Sequence, residues 1–458
     1  MKSASYRRIP GRALIALGVG LIFAAAAPAQ AADKAGLMTE AYAQVPMPPG
    51  FKVIPTELEG PVFADANGHT LYKWPLSSLR NGYAGDPKDK SGCTDKVTTK
   101  TGGYMSPYPP DLVLPELDKR KSCLAVWPAV MAPEGAKPVG KFTIITRPDG
   151  GKQWAYDNHA LYISTLDSQP GDTFGGTTIL RSGGDTPAER APVGPPPDVP
   201  PGFIVDPTVR GHMLLTDKRR SVYVWDNDGS EKSNCHDDCA LTWQAVLAPE
   251  SARPHGEWSI ADNGGVRQWA FRHKPLYTNV QDEHQASLEG AETPGWHNVY
   301  TQLTPAWPKN FTAQVTTMGD VLADAKGKTI YFYTCGDDSA DQLGCDMPDS
   351  PKVYFQAVCG GFDKERCART WRYVEADASA KSDSRAWSIL VLDPKTGDYA
   401  QPDQPGAIKV WAYRGRPIYT YAGDTQPGDY AGHRLGEWQG RRNGFRMFMI
   451  HSEIYGRG

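Results

Sequence analysis

The residues best suited to chemistry lie in one short stretch, "DNDGSEKSNCHDDC" from Asp226 to Cys239. Carboxylates, an imidazole and two sulfurs within so few residues are the donor types that hold calcium or a transition metal. Asp226, Asp228 and His236 are the candidate ligands, with calcium the candidate ion. Cys235 and Cys239 could instead form a redox pair or a structural disulfide. The spacing argues against familiar metal modules. A glycine stands at the fourth place rather than the sixth and no glutamate closes the loop, so an EF-hand is excluded. The spacing resembles no zinc module well, and the chain has no Cys-x-x-Cys-His for covalent haem.

A second set of residues recurs three times. Trp154, Tyr162 and Asp167 return as Trp269, Tyr277 and Asp282, and again as Trp411, Tyr419 and Asp424. Aromatic faces beside a carboxylate could line a groove for a sugar or a peptide. The same residues equally build a core, because a buried aromatic side chain contributes roughly a few kcal/mol. The aspartate would then close a turn by accepting backbone N–H bonds. The place two residues after each tyrosine varies (Ser164, Asn279, Tyr421) and the set is spread over three parts of the chain. Both facts favour the structural role. His159, His273 and His284 lie in or near these stretches and read as surface turn residues. The chain has no G-x-S-x-G, no H-E-x-x-H, no phosphate-cradling loop and no dinucleotide fingerprint, so no catalytic residue is assigned.

The elements that must position these residues are short strands. "KFTIITRPDGGKQWAYDNHALYIS" reads as strand, Asp-Gly turn, strand, turn at Asp157–Asn158, strand. Trp154 and Tyr156 share a face, whereas Leu161 and Tyr162 face oppositely. "GPVFADANGHTLYKW" and "GDVLADAKGKTIYFY" read as hairpins turning at Asn67–Gly68 and Lys326–Gly327. Gly and Pro number 47 and 39 of 458 residues, which favours turns over long helices. Any helix is brief and falls at Cys-x-x-x-Trp: Cys123 to Trp127, Cys239 to Trp243, Cys367 to Trp371.

Order and spacing repeat at the scale of domains. Each copy opens on a Pro-rich phrase (Pro48, Pro200, Pro308). A Tyr-x-aromatic pair follows (Tyr72 and Trp74, Tyr223 and Trp225, Tyr331 and Tyr333), then Cys-x-x-x-Trp, then the closing Trp–Tyr–Asp set. The expected organisation is three tandem divergent copies of a small disulfide-stapled all-β domain, over 46–180, 200–304 and 308–455. The Pro/Gly-rich stretch 181–199 reads as an extended, solvated linker.

The repeated wording resembles a family of bacterial secreted repeats of unknown function, predicted lipoproteins with a Tyr-x-aromatic-x-x-Asp motif. Tyr223, Trp225 and Asp228 match it in full, as do Tyr419, Tyr421 and Asp424. Tyr162 with Asp167, and Tyr277 with Asp282, keep only the ends. Tyr72 and Trp74 lack the aspartate, and Tyr331 and Tyr333 have it one place late, at Asp337. The resemblance implies a fold and carries no activity. The cysteine that would take a lipid anchor is missing here.

Residues 1–31 read as a signal peptide, with a basic start, an apolar core and cleavage expected after Ala31. Export makes disulfides the default for the eight cysteines. Alignment of the copies pairs Cys93 with Cys123 and Cys235 with Cys239. Among Cys335, Cys345, Cys359 and Cys367 three connectivities are possible, short loops favouring 335–345 and 359–367. A net charge of −3 leaves no electrostatic footprint for nucleic acid, and no later run is apolar enough to span a bilayer. The expected function is a non-enzymatic binding or scaffold protein of the envelope, periplasmic or secreted. Its partner would be an envelope protein or a small ligand. A metal- or redox-linked accessory protein, or a hydrolase with an unrecognised site, are the alternatives.

Overall fold

Glycines at positive φ and short runs of alternating burial divide the chain into strands of two to six residues. The computed structural model describes residues 39–79, 82–97, 121–176, 190–208, 210–334, 368–395, 397, 399–435 and 444–451. Residues 1–31, expected to be a signal peptide, and the last four cysteines lie outside the described residues. The turns fall where the sequence puts them. Gly68 and Gly327 turn at φ 95° and 79°, and Asp157 and Asn158 both take positive φ. The expected three strands are Phe142–Thr146, Lys152–Tyr156 and His159–Ala160, paired in that order.

Around residues 200–304 the strands form three small antiparallel sheets. Phe203–Thr208, Gly211–Thr216 and Tyr300–Leu303 make one, and Trp258–Asn263, Val266–Phe271 and Lys274–Pro275 a second. The third has four strands, in the order Trp243–Ala245, Tyr277–Asn279, Tyr223–Trp225, Trp296–Asn298. Between residues 312 and 451 the same three orders recur. The four-stranded sheet there is Trp371–Tyr373, Tyr419–Tyr421, Tyr331–Thr334, Gly444–Met447. In the N-terminal part Ala129 bridges Tyr162, Tyr162 bridges Tyr72, and Tyr72–Lys73 pairs with Ala191–Pro192. Among the described residues helix is confined to single turns such as Cys123–Val126 and Asp238–Thr242, at the Cys-x-x-x-Trp positions.

Part of the stretch expected to be a solvated linker is built into this fold. Ala191–Pro192 is a sheet strand, Val193 is buried, and Phe63 donates its backbone N–H to the Val193 carbonyl at 2.8 Å. A Pro-rich segment can pair along a sheet edge, where a missing N–H faces outward. Composition alone therefore misjudged it.

The loop Thr56–Gly60 reaches residues far along the chain. Its Thr56 carbonyl accepts from Gln302 Nε2 at 2.8 Å, and its Leu58 carbonyl accepts from His212 Nε2 at 3.1 Å. The Leu58 side chain is buried in the same cluster as Phe311, Leu322, Trp387 and Trp411. Glu57 Oε2 accepts the backbone N–H groups of Arg385 and Ala386, and Glu59 pairs with Arg414. His212 Nδ1 also donates to Glu40 Oε2 at 2.7 Å. Acceptors facing both ring nitrogens favour the imidazolium form of His212. Burial pulls its pKa down, but Glu40, Glu59 and the Leu58 carbonyl raise it further.

Candidate functional site: exchanged tyrosine–aspartate pairs and an interfacial cleft

The central strands of each four-stranded arrangement carry two tyrosines that are bridge partners: Tyr72 with Tyr162, Tyr223 with Tyr277, Tyr331 with Tyr419. All six side chains are fully buried. A buried phenol needs a partner for its hydroxyl, and for the first tyrosine of each pair the partner is the aspartate of the second one's motif. Tyr72 donates to Asp167 Oδ2 at 2.6 Å, Tyr223 to Asp282 at 2.9 Å, and Tyr331 to Asp424 Oδ2 at 2.6 Å. In return Tyr162 donates to Asp86 Oδ2 at 2.6 Å. Tyr277 bonds Ser233 Oγ at 2.8 Å and lies against Asp228, whose carboxylate pushes the phenol pKa up alongside burial. Asp337 lies outside the described residues.

Asp86 was missed in the sequence because it stands too far from Tyr72 to complete the motif. A signal that could have found it is "DPKDKSGC" from Asp86, which matches "DGSEKSNC" from Asp228. In the first, Gly92 N donates to Asp86 Oδ1 and Ser91 Oγ meets the Tyr162 hydroxyl. In the second, Asn234 N donates to Asp228 Oδ1 and Ser233 meets Tyr277. The cysteine that closes each phrase forms a disulfide, Cys93–Cys123 and Cys235–Cys239.

Two of the closing aspartates accept backbone N–H bonds from farther along the chain. Asp167 Oδ1 accepts from Phe174 and Asp424 Oδ1 from Ala431. The turn itself is closed by the next aspartate. Asp172 accepts from Ser168 N and Gln169 N, and Asp429 from Thr425 N and Gln426 N. Gly175 and Gly432 belong to this arrangement, since a Cβ on either would come within 3.0 Å of the tryptophan beneath, Trp127 or Trp371. Burial raises the pKa of Asp167 to about 8, and Asp172 adds to it against the opposing bonds from Tyr72 and Phe174 N. Burial likewise raises Asp86, Asp228, Asp282 and Asp424.

Around each pair the aromatic residues pack inward. Trp127, Trp243 and Trp371 meet Tyr72, Tyr223 and Tyr331 edge-on, with ring centroids 5.2–5.5 Å apart. The outer strand then supplies a stacking residue. Trp296 lies parallel to both Trp243 and Trp225, and Phe445 lies parallel to Trp371. At the corresponding place Arg190 lies over Trp74 and Trp127, 4.1 and 4.5 Å from the ring centroids. Trp154, Trp269 and Trp411 are buried in other clusters, away from the tyrosines of their own motifs. The repeated set therefore lines no open groove.

The candidate metal ligands are not brought together. Asp226 faces His297 Nε2 at 3.0 Å on the exposed side. Asp228 turns inward to Asn234 N, and His236 sits exposed beside the disulfide. Among the described residues no group of three or more His, Cys, Asp or Glu side chains could hold a metal ion.

A cleft of about 490 Å³ opens elsewhere, between Thr165–Phe174 and the strand Trp387–Leu392. Lys121 and Arg385 bring positive charge to it, Phe174 and Tyr399 aromatic surface, and Ser168 and Ser388 hydroxyls. Arg385 is fixed by Asp172, through Nε at 2.9 Å and Nη2 at 2.8 Å.

Small antiparallel sheets around buried Tyr–Asp pairs, with two disulfides among the described residues, define a β-rich protein. Residues 408–439, which contain Trp411, Tyr419, Tyr421 and Asp424, match the family model of a secreted repeat of unknown function, the family the sequence resembles. No curated protein and no solved structure matches the chain. Among the described residues no helix is long and apolar enough to cross a membrane.

Proposed function

We propose that this is an exported envelope protein that binds or scaffolds without catalysing, built as three divergent copies over 46–180, 200–304 and 308–455. One observation carries the reading: the six paired tyrosines are buried, and the first of each pair donates its hydroxyl to the aspartate that follows the second. Groups so engaged specify a fold and are withheld from substrate. The match of 408–439 to a secreted repeat supports export. The recurrence of one strand order in the second and third parts supports duplication. Function then resides where the copies differ or meet.

The test is a melting-temperature screen of the purified mature chain against small organic solutes and envelope fragments. A saturable upward shift, with no turnover of the bound compound, is the expected result. Turnover abolished by a single substitution would overturn the reading in favour of an enzyme.

A further inference from the structure

The cleft between the first and third parts has a chemical character of its own. Its described lining contains two cations, Lys121 and Arg385, and no carboxylate. The Asp172 carboxylate that pairs with Arg385 is itself buried behind it and takes Nε and Nη2. Arg385 Nη1 has no hydrogen bond among the described residues. The guanidinium is therefore held in place with donors to spare, the arrangement that recognises a carboxylate or similar oxyanion. The rest of the lining suits an apolar body. Phe174 and Tyr399 offer ring surface, and Leu166, Ile389 and Leu390 aliphatic surface. The volume of about 490 Å³ falls within the range usual for small-molecule sites, roughly 300–1,000 Å³.

We propose that this cleft binds a small organic anion, a carboxylate carried on an aromatic or aliphatic body. The anion lies at Arg385 and Lys121, and the body between Phe174 and Tyr399. The assignment rests on the reading of the protein as a binding module and names the ligand class for it. Both walls are needed, since Thr165–Phe174 and Arg385–Leu392 come from separate parts of the chain.

The experiment is calorimetric titration of the full mature chain with 1-naphthoate and with its neutral analogue, 1-naphthalenemethanol. The naphthoate should bind at one site, weaken as salt is raised, and exceed the neutral compound by about tenfold. Lys121→Gln and Tyr399→Ala lie on exposed parts of the lining and should each reduce naphthoate affinity in a chain that circular dichroism shows to be folded. Equal binding of the two compounds, or binding indifferent to both substitutions, overturns the proposal. So does failure of the naphthoate to bind a folded chain. If it fails while an unrelated solute shifts the melting temperature, the binding-module reading stands and the cleft assignment falls.

Discussion

Tyr72 donates its buried hydroxyl to Asp167 at 2.6 Å, although Asp167 stands five residues after a different tyrosine, Tyr162. Tyr162 in turn reaches back to Asp86, which follows Tyr72. The two halves of the unit thus exchange partners across a shared bridge. The same first half of the exchange joins Tyr223 to Asp282 and Tyr331 to Asp424.

Removing one hydroxyl should cost more than one net hydrogen bond. Tyr72→Phe leaves Asp167 buried and short of a donor, a loss of about 1–3 kcal/mol. Tyr331→Phe should behave alike. Chemical denaturation followed by tryptophan fluorescence measures both, and a change below about 0.5 kcal/mol would contradict the structural role.

The buried carboxyl also sets a pH dependence. Asp167 titrates at about 8 in the folded chain, above the ordinary 3.8. Between those values the folded state holds a proton that the unfolded state has released. Its contribution is therefore complete below about pH 4 and is lost as pH rises through about 8. Asp167→Asn should flatten the fall in melting temperature between pH 5 and 8, read as the difference from the parent chain. A parallel slope in both proteins would argue against the raised pKa.

Leu58 should be a coupling point rather than a local one. Leu58→Ala removes a side chain from a core built mostly by residues after 311, at a cost of about 2–5 kcal/mol. Hydrogen exchange should quicken in Trp387–Leu392 and Ile408–Tyr413, while Trp258–Asn263 keeps its protection. Uniform protection across all three strands would show the loop to be dispensable.

The two disulfides among the described residues should differ in worth. Cys93–Cys123 spans 30 residues and Cys235–Cys239 spans 4. Loop-closure entropy makes them worth about 4 and about 2 kcal/mol. Replacing each pair by alanine and comparing unfolding midpoints checks the order, and a larger loss at Cys235–Cys239 would reverse it.

Much of this architecture was legible in the sequence. Gly68, Gly327 and the pair Asp157–Asn158 mark turns because few other residues take positive φ without strain. The opposite facing of Leu161 and Tyr162 follows from strand alternation, and the two lie in different clusters. The partners of the tyrosines were not legible, because hydrogen bonding across a bridge leaves no local spacing. Asp86 shows this, being joined to Tyr162 by a contact 76 residues long. Thr56–Gly60 was equally silent, since Thr-Glu-Leu-Glu-Gly has the composition of any exposed loop. Its role comes from His212, Arg414 and a core far along the chain. The cleft went unseen for the same reason, its walls being distant in sequence.

The exchange of partners has a consequence for descent. An aspartate that serves a tyrosine in the opposite half is released from keeping step with its own. The interval from Trp74 to Asp86 can therefore be longer than the motif's without breaking the bond to Tyr162. Drift in such a lineage is constrained between halves rather than within them. A tyrosine lost from one half strands an aspartate in the other, so the two must be inherited as a unit. Kinship in such chains is better traced through pairs that change together than through the spacing of a motif.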